Sequence, residues 1–233
     1  MIGKTAWKVG DKIATLVSLS LTPLRIDKIK DIRPDIDQVD IDGKAILFES
    51  GIYAKIPSDL PENLALSALD VAGAPAQTAK LVKPGDTVVI IGAGGKSGML
   101  CCYEAKKRAG VTGKVIGICH SERSTKRMMD LGFCDEVFSA DATQPVPVMK
   151  KIEELTNGQM ADVCINNVNI PDTEMTSILV TKNTGVVYFF SMATSFTKAA
   201  LGAEGVGSDV TMIVEQTIEM VRVNSLLVVV CRK

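Results

Sequence analysis

The stretch that most restricts the fold is TVVIIGAGGKSG at residues 87–98, five β-branched residues in a row and then Gly92, Gly94, Gly95 and Gly98. An unbroken β-branched run reads as a strand covered on both faces, since a strand with one wet face would alternate. The glycines then allow a tight turn, and the helix expected over residues 98–109 opens with unsatisfied N–H groups. A strand, turn and helix of this kind suit a pyrophosphate, whose charge meets those amides and whose bulk needs the missing Cβ atoms. Gly92, Gly94, Gly95, Lys96, Ser97 and Gly98 are the candidate contacts. The spacing G-x-G-x-x-x-G carries the last glycine one place later than the dinucleotide fingerprint. A glycine turn used only for close helix–sheet packing is the other reading. No G-x-x-x-x-G-K-[ST] pattern is present, so Lys96 is not a P-loop lysine.

From residue 87 onward, short apolar runs alternate with amphipathic helices. Strands are predicted at Thr87–Ile91, Lys114–Cys119, Glu136–Ser139, 162–166 and 185–191, with helices at 98–109, Glu122–Leu131 and 148–156. This rhythm predicts an α/β fold with a doubly wound parallel sheet. The part before it looks β-rich: an apolar strand within residues 7–21, an alternating Ile/Val–Asp stretch at 27–45 read as one strand with a solvated charged face, and short apolar runs at 45–56. Residues 62–83 have helical spacing, with a break near Gly73-Ala74-Pro75. The domain boundary is placed at Lys83-Pro84, giving units 1–83 and 84–233.

The position just after the second strand speaks to which dinucleotide binds. An acid there would accept the ribose 2′-hydroxyl of NAD. This chain has Cys119, followed by His120, Ser121 and Arg123, with Lys126 and Arg127 nearby. A guanidinium pairs with a 2′-phosphate and a carboxylate repels one, so the reading leans to NADP; NAD stays open because Glu122 could reach a ribose. Arg123 also reads as a plain helix-start charge, and His120 as either a wall of the adenosine pocket or a surface histidine. Asn166, Asn167, Ser191, Met192 and Ala193 fall at the C-terminal ends of the fourth and fifth strands, where open α/β sheets bind ligands. They are candidate nicotinamide-side contacts, with turn formation as the alternative.

Composition narrows the partners. Lys and Arg total 26 against 27 Asp and Glu, so the net charge of −1 offers no field to draw a nucleic acid or an anionic membrane. The apolar runs, including residues 226–231, are far shorter than the ~18 residues that cross a bilayer. Six cysteines without a C-x-x-C pair read as reduced, buried thiols of a cytoplasmic protein, Cys164 among them as an inert one. A single histidine, with no Cys, Asp or Glu clustered at ligand spacing, argues against a catalytic metal.

VKPGDTVVIIGAGG (82–95), LDVAGAPAQTAKL (69–81), KVIGICHSERSTKRMMDLGF (114–133), ADVCINNVN (161–169) and VVYFFSMAT (186–194) together resemble the medium-chain dehydrogenase/reductase superfamily. The resemblance implies a Rossmann-type cofactor domain preceded by part of a GroES-like catalytic domain, with Cys119 where NAD-dependent members carry an acid. Joined to GDKIATLVSLSLTPLRIDKI (10–29), the glycine loop and its helix are most similar to the 3,5-diaminohexanoate dehydrogenases of lysine fermentation. The similarity runs from residue 1 to about 214, and members of that family begin well ahead of this chain's first residue. It implies oxidative deamination of a diamino acid to 5-amino-3-oxohexanoate and ammonium, with NADP or NAD, without metal, and with a possible homodimer. An ammonium substrate calls for carboxylates, and Asp70 and Glu49 are the candidates. Two other readings stay open: a zinc-free quinone or enone reductase on the same scaffold, and a truncated dinucleotide-binding product without turnover.

Overall fold

The computed structural model describes residues 8–15, 23–46 and 53–214, which fall into two compact units divided after Gly73. In the first unit, β1 (Ile13–Thr15) pairs antiparallel with β4 (Tyr53–Lys55), and β2 (Leu24–Arg33) with β3 (Gln38–Ala45). The stretch 27–45 is therefore a hairpin and not the single strand expected. Pro34 lacks an N–H for the ladder and opens a short 3-10 turn, and Asp37 closes it in the left-handed region at φ 52°. The alternating charges face one another across the ribbon as the Lys30–Asp42 and Arg33–Asp40 pairs. Helix α1 (Glu62–Val71) packs Ala65, Leu66 and Leu69 with Ala14 and Ile56. Glu49, and residues 226–231, lie outside the described residues.

The second unit begins at Ala74, one residue into α2 (Gly73–Leu81), which follows α1 after the break at Ala72. It then alternates β5 (Thr87–Ile91), α3 (Lys96–Ala109), β6 (Lys114–Cys119), α4 (Glu122–Leu131), β7 (Glu136–Ser139), α5 (Pro145–Leu155), β8 (Ala161–Asn166), α6 (Glu174–Leu179), β9 (Thr181–Phe189), α7 (Phe196–Gly205) and β10 (Thr211–Val214). All six strands are parallel, in the order β10-β9-β8-β5-β6-β7. The chain starts in the middle, builds outward to β7, then returns to β8 on the other side of β5. That reversal leaves a crevice at the C-terminal ends of β5 and β8, the ligand position of doubly wound sheets.

Period-two alternation along β5 sorts its buried residues between two cores. Val88 and Ile90 pack with Cys101, Cys102 and Ala105 of α3 and Met128 of α4. Val89 and Ile91 pack with Val148 and Ile152 of α5 and Ala199 of α7. Helices α6 and α7 and strand β10 were not foreseen. Each is short or carries glycines, so the periodic signal over it is faint. Among the described residues, no helix is long and apolar enough to cross a membrane.

Candidate functional site

The loop after β5 is held at several points. Gly92 sits at φ 82°, and its N–H and that of Ala93 both donate to the Ile118 carbonyl at 3.0 Å, which ties the loop to the end of β6. The Gly95 N–H donates to the Gly92 carbonyl at 3.0 Å. A Cβ on Gly98 would stand 2.1 Å from the Gly92 oxygen and 2.8 Å from Ala93 Cα, so α3 starts hard against the strand exit and admits no side chain there. The late glycine thus performs the close-packing role. Helix α3 begins at Lys96, two residues earlier than expected, with Gly95 as N-cap. No side chain caps it and no acid occupies its first turn, so its first amides are left to an anion or water. Ser97 is buried within that turn and Lys96 is exposed.

The end of β6 forms the next wall. Cys119 is buried beneath Gly94, its Sγ 3.3 Å from where a Gly94 Cβ would be, with Ser124 Cβ at 2.6 Å on the same side. Burial raises the Cys119 thiol above its ordinary value, against the pull of the Thr125 and Ser124 hydroxyls and the Gly94 amide. It is a neutral floor. His120 is exposed and lines a cavity of about 290 Å³ with Ile91, Gly92, Ile118, Cys119, Val168 and Ile170. Ser121 is the N-cap of α4: its Oγ accepts from the Ser124 N–H at 3.3 Å while Ser124 Oγ accepts from the Ser121 N–H at 3.2 Å. Arg123 is exposed in the first turn of α4. One turn later, Arg127 donates from Nη2 to the Gly94 carbonyl. Arg127 was noted in the sequence only as a charge near the end of the second strand, and Ser124 was not singled out, although S-x-x-S before a helix is a legible capping signal.

Beyond β8 the two asparagines differ. Asn166 is fully buried; its Nδ2 donates to Thr173 Oγ1 and Ser177 Oγ, each at 2.9 Å, and its Oδ1 accepts from the Val168 N–H at 3.0 Å. Both amide protons are engaged by Thr173 and Ser177, so the side-chain donors of Asn166 are taken up within the protein. Asn167 Oδ1 accepts from the Cys101 thiol at 3.7 Å, and its buried Nδ2 has no hydrogen-bond partner among the described residues. After β9, Ser191 Oγ accepts from the Ala193 N–H at 3.0 Å and donates to Asn169 Oδ1 at 3.4 Å, while Met192 is exposed. The buried Glu174 carboxylate, also missed in the sequence, accepts from the Ser195 N–H at 2.6 Å and so joins the loops after β8 and β9.

The glycine loop, residues 119–123 and the turns at 166–169 and 191–193 are therefore gathered at the C-terminal edge of one sheet. Asp70 lies on α1, in the other unit. Among the described residues, no group of three or more His, Cys, Asp or Glu side chains is placed to hold a metal.

Residues 97–225 match the family described as zinc-binding dehydrogenase. The chain belongs to that family. The medium-chain dehydrogenase resemblance and the parallel α/β architecture read from the sequence are borne out. Residues 1–57 match the N-terminal domain of L-erythro-3,5-diaminohexanoate dehydrogenase. The curated enzyme of that name from Acetoanaerobium sticklandii is 66% identical over 212 residues, 91% of this chain and 62% of that protein. Its namesake from Fusobacterium nucleatum is 62% identical over 214 residues, 92% of this chain and 62% of that protein. The chain thus spans 62% of the length of each relative. A mycobacterial protein solved in complex with NADPH has the same fold, with a TM-score of 0.58 at 20% identity over 73% of this chain and 52% of that one. The family's name carries zinc, and among the described residues no set of donors fits one.

Proposed function

We propose that this chain binds NADP, and NAD less tightly, in the loop at residues 92–98, and that it belongs to a cytoplasmic enzyme oxidatively deaminating L-erythro-3,5-diaminohexanoate. The observation that carries the binding step is the uncapped start of α3, aimed from the point where the strand order reverses. The substrate is that of the two relatives, each an L-erythro-3,5-diaminohexanoate dehydrogenase. The first-turn amides of α3 hold the pyrophosphate, and the neighbouring apolar cavity takes the adenine. Buried and neutral, Cys119 offers no acceptor to a 2′-hydroxyl, while the exposed Arg123 is available to a 2′-phosphate, which favours NADP. Asn167, Ser191, Met192 and Ala193 border the nicotinamide end.

Held by the loop at 92–98, a nicotinamide cofactor would supply the acceptor for a hydride leaving substrate C3. Water then replaces the amine, so 5-amino-3-oxohexanoate, ammonium, reduced cofactor and one proton are released. A substrate amine held as ammonium gains nothing from a second cation, so a carboxylate serves better than zinc; Asp70 is the proposed holder, with Glu49 as second candidate.

Calorimetric titration with NADP⁺ and NAD⁺, beside cofactor reduction with 3,5-diaminohexanoate, tests the proposal. Heat with both nucleotides, larger affinity for NADP⁺, and turnover of the diamine are expected. No heat with either nucleotide overturns the binding reading. Turnover of quinones or enones without turnover of the diamine would replace the substrate assignment, and binding without any turnover would leave the chain a dinucleotide-binding product.

A further inference from the structure

We infer that Arg127 is a positioning residue for the pyrophosphate, acting through the Gly94–Gly95 peptide; the inference rests on the dinucleotide reading of the loop. That peptide joins two glycines, so no side chain on either flank restrains its rotation, and turning it over is cheap. The flip has an electrostatic consequence. In one orientation the loop shows the anion only N–H donors; in the other it shows the partial negative charge of a carbonyl.

The structure fixes the plane at both ends. The Gly95 N–H donates to the Gly92 carbonyl at 3.0 Å, and the Gly94 carbonyl accepts from the Arg127 guanidinium on α4. A stiffer residue cannot take over this task at position 94, because a Cβ there would lie 2.6 Å from Ser124 Cβ and 3.3 Å from Cys119 Sγ. The loop must keep its glycine, and the restraint has to come from outside. Arg127 supplies it, with a charge-assisted bond stronger than a neutral donor would give. Its reach follows from the helix: one turn beyond Arg123, it shares that residue's face of α4.

Arg127→Gln and Arg127→Lys in the full chain, titrated with ADP, NADP⁺ and adenosine, test this. Arg127→Gln should weaken ADP and NADP⁺ by about ten- to a hundred-fold, the range for losing a charged hydrogen bond, and leave adenosine binding unchanged. Arg127→Lys should recover only part of the loss, since an ammonium cannot reproduce the guanidinium's fixed geometry. In the ligand-free protein, hydrogen exchange at the Gly95 amide should quicken in Arg127→Gln. Equal ADP affinity in wild type and Arg127→Gln overturns the inference alone. Full recovery by Arg127→Lys also overturns it, by showing a bulk charge effect, as does a parallel loss of adenosine binding, which would mean that α4 itself is disturbed. A wild-type chain that binds neither ADP nor NADP⁺ removes the dinucleotide reading and this inference with it.

Discussion

Ile90, in the middle of β5, is 0% exposed, whereas Ile29, in the middle of β2, is 52% exposed. Both are β-branched residues in paired strands, yet their surroundings have little in common. In the parallel sheet each central strand has neighbours on both edges and helices over both faces. Among the described residues the ribbon of β2 and β3 has one neighbour per strand; Ile41 is buried, but Leu24, Ile26, Ile29, Ile32 and Val39 stay exposed. Its order comes from the ladder and from cross-strand ion pairs, which add little when solvated. A two-stranded ribbon is marginal on such terms. Apolar content therefore becomes a core only where layers cover it, and equal substitutions should have unequal effects in the two regions.

The largest effect is expected at Gly98. Gly98→Ala places a Cβ 2.1 Å from a backbone oxygen that has no room to move, so urea unfolding should show a loss of more than about 3 kcal/mol and dinucleotide binding should disappear. Wild-type stability in that variant would mean that the strand exit and α3 are not in contact. Next comes Ile90→Ala, expected to cost about 2–5 kcal/mol by the same measurement, because the cavity left between β5 and α3 cannot collapse.

Asp135 gives a smaller, pH-dependent effect. Burial pushes its carboxyl up, but the Lys106 ammonium, the Val115 N–H at 2.8 Å and Lys114 outweigh burial and hold it below the ordinary carboxylate value. A value lowered in the folded chain means stability present above the unfolded carboxylate range and lost as pH falls through the folded one. Wild-type chain should lose stability over that acid window, and Asp135→Asn should flatten the loss by at most about 1 kcal/mol, since the pair is partly solvated. Identical pH profiles would show that Asp135 is not ionised to any structural purpose. Smallest of all is Ile29→Ala in the ribbon, expected within about 0.5 kcal/mol of wild type. A loss matching Ile90→Ala would abolish the contrast between the regions.

The parallel unit was the more legible part of the sequence for a physical reason. Its first strand is an unbroken β-branched run and the next two are short apolar runs bounded by turn residues, so pattern and burial agree, and Thr87–Ile91, Lys114–Cys119 and Glu136–Ser139 were located to the residue. The ribbon was misread because alternation continues through Pro34, and a hairpin and a longer strand share the same period. Within the site, the glycine loop and its spacing were visible but the task of the last glycine was not: the role of Gly98 depends on how closely Gly92 approaches it in space. Glu174 and Arg127 depend on partners 21 and 33 residues away, which no local pattern announces, and the engaged state of Asn166 depends on how the turn after β8 folds back to Thr173 and Ser177.

Asn166 also bears on how a guest is received. It fastens the turn after β8 to Thr173, Ser177 and Val168, so that side of the crevice stands finished before anything enters. The conformational freedom a mobile wall would surrender on capture has already been removed during folding, and less entropy opposes association. A guest on that side would meet a jamb already fastened by three hydrogen bonds.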